Sequence, residues 1–246
     1  MAVYKSKGIV LRSMRYGEAD RILDLYTRDS GLVSAIAKGI RRTKSRFGGR
    51  LEPLSCVEFM AYEGRTLDTI TQVEVLHPFR TVRESLSRLE AAGGIIRAIR
   101  ALSGGGEADR RVFNLLYHAL DALEARDGGF GAVEASFSLK LSMLAGYALM
   151  LDRCVSCERD FREGWEPPYF APPLGGVLCT DCRSATRDLF PLPPGARAEL
   201  QRLVALPVKE AAVREGLGES VRRGVSAHLL VHAPGNAALV PGSSSS

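Results

Sequence analysis

Two hydrophobic rhythms divide the chain. Up to about residue 77 the apolar positions fall in short β-branched and aliphatic runs: GIVLRS (8–13), RILDLYT (21–27), LVSAIAKG (32–39), CVEFMAYEG (56–64) and TLDTITQVEVL (66–76). Such runs predict strands. RDSG (28–31) and Glu63-Gly64-Arg65 read as tight turns joining the second to the third and the fourth to the fifth. Five strands in so short a stretch suit a small closed barrel, since closure removes exposed edges. Periodicity leaves an OB barrel and an SH3-like barrel both open.

From Pro78 the spacing becomes helical. Thr81-Val82-Arg83-Glu84 reads as a capping box, followed by a stripe at Leu86, Leu89, Ile96, Ile99 and Leu102 that ends at 103–106. A second helix carries Val112, Leu116, Ala119 and Leu123 and stops at Gly128-Gly129. A third carries Val133, Phe137, Leu141, Leu144, Ala148 and Leu151. After PLPPG (191–195) come ARAELQRLVAL (196–206) and a last helix opening at Pro207, through Val213, Leu217, Val221, Val225 and Leu229. Five helices with short connections predict a small bundle. No internal repeat is present, and residues 237–246 read as a disordered tail.

Composition changes this picture little. In 246 residues, 46% hydrophobic and 25% charged is an ordinary globular mixture. The run MLAGYALML (143–151) is too short to span a bilayer. With no signal-peptide core at the N-terminus, a cytoplasmic protein without membrane association is expected. Charge changes it more. The net charge is +5. Residues 1–80 hold fourteen Lys and Arg against nine Asp and Glu, while residues 81–246 hold nineteen of each. All the excess positive charge lies in the barrel third, which predicts an acidic partner there, nucleic acid above all.

Four of the five cysteines form two CxxC pairs, Cys154/Cys157 and Cys179/Cys182, with twenty-one residues between them. This spacing predicts a structural zinc site. Two thiolates three positions apart turn toward one cation, and a second knuckle completes a tetrahedron with no open position for water. The intervening EPPYFAPPLGG (166–176) looks poor in core material, so the metal is expected to replace a core. Redox chemistry would want a βαβ setting. Disulfides do not suit a reducing compartment. Cys56, alone in a predicted strand, reads as a small buried hydrophobe.

No catalytic constellation emerges, and an enzyme is not predicted. His228 and His232 lie four apart but lack the glutamate of an HExxH motif, so they read as a surface or partly buried pair. Asp20, Asp24 and Asp29 sit near Arg21 and Arg28 and read as ion-pair partners. A hydrolase using Asp20, Asp24 or Asp68 is the competing enzymatic reading. No phosphate-binding GxxxxGK[ST] loop and no GxSxG elbow occur.

Residues 38–50 carry six cations and no acid: Lys38, Arg41, Arg42, Lys44, Arg46 and Arg50. They fall between the third and fourth predicted strands. A mobile cationic lip is expected there, with Phe47 available to stack on a base. A solvated loop that binds nothing is the plain alternative.

Together these parts resemble the RecO family of bacterial recombinational repair proteins, over roughly residues 1–230. KGIVLRSMRYGEADRIL (7–23) is similar to the family's N-terminus. Lys38, Gly39, Arg41 and Arg42 match a KGxRR-type segment, and Arg50, Leu51, Glu52 and Pro53 a GxLEP-like close. GYALMLDRCVSC (146–157) and YFAPPLGGVLCTDC (169–182) resemble its metal-binding insertion. Glu158 departs from the pattern, since a glycine often follows the second cysteine, and some members lack the cysteines. The resemblance implies an α+β multidomain chain. An OB barrel (1–80) is followed by a helical domain (81–153 and 190–236) interrupted by a four-cysteine zinc-binding insertion (154–189). It implies a non-enzymatic mediator of DNA recombination in the RecF pathway. Such a protein binds single- and double-stranded DNA, anneals complementary strands, and works with RecR and the acidic tail of single-strand-binding protein to help load RecA. Lys38, Arg41 and Arg42 are the DNA-contact positions it carries over. An OB-fold, zinc-knuckle RNA-binding protein is the alternative.

Overall fold

The computed structural model describes residues 2–43, 45, 47–103, 108–161, 166–211 and 218–232. The tail at 237–246 lies outside them, as do the predicted stop at 104–106 and Val213 and Leu217 of the last predicted helix. Among the described residues no helix is long and apolar enough to cross a membrane. The chain divides into two compact units, one of residues 1–89 with 103–124 and one of residues 90–102 with 125–246.

The first unit is built on five strands: β1 (Val3–Tyr16), β2 (Asp20–Thr27), β3 (Gly31–Ala37), β4 (Cys56–Tyr62) and β5 (Asp68–His77). They close into a barrel of order β1-β2-β3-β5-β4. β1 pairs with β4 over Val3–Ile9 and with β2 over Gly8–Tyr16, both antiparallel. A bulge interrupts the β1–β2 register between Val10 and Arg12. β3 runs parallel to β5 through Ala35 and Ile36. β3 and β4 are consecutive yet do not pair, so the barrel is a Greek key and not a meander. That order is the OB arrangement and removes the SH3-like alternative. Gly8 packs tightly where it stands. A Cβ there would lie 3.2 Å from Phe59 and 3.3 Å from Leu25 inside the barrel.

Two helices of this unit flank the barrel: α1 (Arg80–Glu84) and α3 (Arg110–Glu124). Val112, Phe113, Leu116, Ala119, Leu120 and Leu123 form the buried stripe of α3. Phe79, fully buried at φ 44, lies against the rings of His77 and Tyr117. The predicted capping box does not form. Thr81 sits inside α1, and its N–H is met by Glu124 at 3.3 Å. Ser85 then adopts an extended conformation and separates α1 from α2 (Leu86–Leu102). The stripe of α2 is shifted accordingly. Leu86 and Leu89 are exposed, while Ala91, Ala92, Ile95, Ala98 and Ile99 are buried.

The second unit joins the later part of α2 to α4 (Phe130–Leu144), α5 (Ala196–Ala205), α6 (Glu219–His232) and a small sheet. The sheet has order β6-β8-β7-β9 and comprises β6 (Met150–Cys154), β7 (Tyr169–Ala171), β8 (Gly176–Leu178) and β9 (Phe190–Pro191). α4 stops earlier than the predicted stripe through Ala148 and Leu151. Gly146 takes φ 92, its N–H binds the Met143 carbonyl, and the Tyr147 N–H binds the Ser142 carbonyl. This is a Schellman close, and Leu151 belongs to β6. The last helix does not open at Pro207. Residues 207–211 form a turn, and α6 begins at Glu219.

Candidate nucleic-acid interface and metal centre

The cationic segment is the β3–β4 connection, and it is folded onto the barrel. Ile40, Phe47, Leu51 and Leu54 are buried, the first three among the barrel's interior side chains. Gly39, at φ 69, donates its N–H to Asp20 Oδ1 at 2.7 Å. The Arg41 N–H reaches the Ala19 carbonyl at 2.9 Å, and its guanidinium binds the Glu18 carbonyl at 2.9 Å. The far end is tied by Leu54 N–H to the Val10 carbonyl at 2.7 Å and by Arg83 to the Pro53 carbonyl at 3.0 Å.

Lys38, Arg41, Arg42 and Arg50 are exposed on this segment. Lys44 and Arg46 lie outside the described residues. Apolar plugs and backbone hydrogen bonds anchor the described part of this lip at both ends. The expectation for Phe47 is corrected. At 1% exposure it is a core side chain and cannot stack on a base. The aromatic that faces solvent here is Tyr16, 54% exposed at the end of β1, beside the turn whose Glu18 carbonyl holds Arg41. Its exposure follows from its place at the end of β1, just before the Gly17 turn, a signal present in the sequence.

The carboxylates read as a catalytic alternative are dispersed into structural roles. Asp20 holds Gly39, Asp24 accepts from the Ser34 hydroxyl at 2.9 Å, and Asp29 pairs with Arg110 at 2.8 Å. Asp68 accepts from the Tyr4 hydroxyl and from the Gly64 N–H at 2.9 Å. Asp29 thus pairs with Arg110 and not with Arg28, while Arg21 lies 3.5 Å from Glu52. Cys56 is buried in β4, and burial pushes its thiol up to about 11 against the pull of Lys7.

The four remaining cysteines converge. Their sulfurs all lie within 4.8 Å of one another, and Cys157 and Cys179 are 3.8 Å apart. A tetrahedral ion with metal–sulfur bonds of about 2.3 Å needs sulfurs about 3.8 Å apart, so the donor set and its spacing fit a four-thiolate metal. Cys154 ends β6 and Cys179 follows β8. Burial works against the Cys154 thiolate, but the backbone N–H groups of Cys157, Cys179 and Ser156 outweigh it and bring the thiol down to about 6. Arg159 pairs with Asp181 at 2.9 Å, linking the two knuckles. Glu158 takes the left-handed conformation, φ 58, with its N–H on the Cys154 carbonyl at 2.9 Å. Glu158 thus occupies a backbone position that favours glycine, and the four sulfurs still converge.

The insertion is not short of core, contrary to the expectation. Leu151, Phe161, Phe170, Val177 and Leu178 pack with Ala135 and Leu139 of α4, Leu200 and Leu203 of α5, and Val221 and Val225 of α6. Phe170 comes so close to α6 that a Cβ on Gly224 would lie 2.6 Å from its ring. Tyr169 packs against the same cluster, beneath the Arg183 guanidinium, whereas Trp165 lies outside the described residues. His228 is buried at 1% exposure, its two ring nitrogens 3.3 and 3.2 Å from the Pro172 and Tyr147 carbonyls. His232 stacks on Tyr147. Both histidines brace α6 against its neighbours, and among the described residues only the cysteines group as metal ligands.

One groove of about 520 Å³ opens in the second unit between α2, α4 and α6. Arg97, Arg222 and Arg223 line it together with Ala135, Val225 and Leu230.

Comparison with known proteins agrees with this architecture. Residues 1–79 match the family model "Recombination protein O N terminal", and residues 83–233 match "Recombination protein O C terminal". The chain is similar to the DNA repair protein RecO of Rubrobacter xylanophilus, 64% identical over 97% of this chain and 96% of that one. It is 42% identical to the RecO of a Nocardioides species over 74% and 75%, and 33% identical to that of Symbiobacterium thermophilum over 94% and 92%. The OB barrel, the four-cysteine centre and these matches over nearly the whole length identify the chain as a member of the RecO family of DNA repair proteins.

Proposed function

We propose that this chain is a non-enzymatic recombination mediator that binds single- and double-stranded DNA and anneals complementary strands. In this reading residues 1–80 are the DNA-binding domain, and residues 81–153 and 190–236 form a helical domain around the zinc insertion at 154–189. The observation that carries it is the anchored cationic lip on an OB barrel. Annealing brings two polyanions together, and an array of guanidinium and ammonium groups lowers their repulsion without making or breaking a bond. Lys38, Arg41, Arg42 and Arg50 supply it, with Lys44 and Arg46 in the same segment. Cys154, Cys157, Cys179 and Cys182 hold a zinc ion that cross-links the insertion and takes no part in DNA contact.

The groove supports the partner side of the reading. Three arginines and several apolar side chains lining one groove suit an acidic peptide with an apolar anchor, such as the tail of single-strand-binding protein. With RecR, the protein would then help load RecA on coated DNA in the cytoplasm.

The test is annealing of complementary oligonucleotides coated with single-strand-binding protein. The Lys38→Ala/Arg41→Ala/Arg42→Ala triple should lose most of the rate. Because Arg41 also ties the loop to the β1–β2 turn, the Lys38→Ala/Arg42→Ala double serves as the variant that spares the fold. Undiminished annealing by both would sink the proposal, and a clear preference for matched RNA would favour an RNA-binding module.

A further inference from the structure

The groove between α2, α4 and α6 already contains an anion of its own. Glu134 projects from α4 into it, half-buried, alongside Arg97 of α2 and Arg222 of α6. Its carboxyl lies directly on the α2 backbone. A Cβ on Gly94 would stand 1.7 Å from Glu134 Oε1 and 2.2 Å from its carboxyl carbon. Glycine at position 94 is thus the condition for the carboxyl to sit there. The chain has made room for a negative charge in a site whose three arginines favour anions.

A carboxylate in that place weakens the groove's attraction for an acidic ligand. The charged groups that line the groove are Arg97 and Glu90 on α2, and Arg222 and Arg223 on α6. β9 contributes only Phe190. Three cations face two carboxylates, and neutralising Glu134 doubles the net positive charge. Burial raises the proton affinity of the Glu134 carboxyl, and the pull of Arg97 and Arg222 does not cancel that.

We propose that Glu134 is a built-in competitor for the groove's guanidinium groups, which limits the affinity of an acidic peptide and takes up a proton when such a peptide docks. The inference rests on the acidic-peptide reading of the groove. A second negative charge brought next to Glu134 disfavours its ionised form, so docking and protonation assist each other. Affinity therefore rises as the pH falls, until it approaches the pKa of about 4 of the peptide's own carboxylates and they begin to protonate.

The probe is a short fluorescein-labelled peptide of aspartates ending in a free-carboxylate phenylalanine. Its binding to the full chain is followed by anisotropy from about pH 8 to about pH 5.5, below which its carboxylates would interfere. Glu134→Gln preserves the shape that rests on Gly94. It should bind roughly five- to tenfold tighter than wild type at the upper pH, with a flat profile. Wild type should tighten on acidification. Calorimetry in buffers of different ionisation enthalpy should show proton uptake by wild type and none by Glu134→Gln; the wild-type half of that result needs no variant to fold. Equal affinity of the two proteins at every pH, with no proton uptake while Arg97→Ala still weakens binding, would overturn the competitor role and leave the docking reading standing. Weaker binding by Glu134→Gln would make the residue a support for the arginines and also overturn it. No saturable binding to any of these proteins would remove the docking reading and this proposal together.

Discussion

Glu158 holds φ 58 in the first cysteine knuckle, a region that costs a residue with a Cβ on the order of 1–3 kcal/mol. Glycine enters it freely but makes the unfolded chain looser by roughly 0.5–1 kcal/mol. Glu158→Gly is therefore expected to stabilise the metal-loaded protein by about 1 kcal/mol in urea denaturation, and a loss of stability would show that the knuckle draws on the Glu158 side chain. Tyr16 and Phe47 raise a second question at this scale, since both are aromatics flanking the cationic rim. Tyr16→Ala should leave the melting temperature unchanged and weaken single-strand binding by about 1–3 kcal/mol in anisotropy at fixed salt, the worth of one stacked base. Phe47→Leu should do the reverse, lowering stability while the affinity of the folded protein holds. Exchanged outcomes would restore Phe47 as the stacking residue. Burial of Phe47 depends on where the loop lies against the barrel, which residue type does not reveal.

At the scale of elements, the small sheet is held by two agents. One is the four-sulfur cluster, and the other is the apolar packing of Phe161, Phe170, Val177 and Leu178 against α4, α5 and α6. Stripping the metal with a chelator should free the knuckles, lower the melting temperature and raise the binding of a hydrophobic dye as that core opens. An unchanged melt with the metal gone would mean that the apolar core suffices. The cysteine knuckles were legible because CxxC spacing is a local geometric requirement. The packing was not, because Phe170 finds Gly224 across more than fifty intervening residues. The same holds for helix ends. The α4 close depends on Gly146 at positive φ, although a Gly-Tyr pair within an apolar run also fits a continuing helix. The N-terminus of α1 is satisfied by Glu124, a cap that no local motif announces.

At the scale of the whole molecule, the excess charge lies in the first eighty residues and part of it is displayed on one anchored segment. If about four to six of these cations meet phosphates, the logarithm of the single-strand binding constant should fall against log salt with a slope of roughly −3 to −4. A slope near zero, measured by titration across salt, would mean that the segment is idle. The Lys38→Ala/Arg42→Ala double should make the slope shallower by roughly one to one and a half units if both residues contact phosphate.

The five strands, the α3 stripe, the two cysteine knuckles and the regional charge were written in the sequence alone, because each rests on residues close together in the chain. Strand order, the burial of Phe47, the exposure of Leu86 and Leu89, and the seat of Glu134 on Gly94 were decided by tertiary structure. Each of these depends on which distant surface arrives opposite a residue, and a linear pattern carries no record of that.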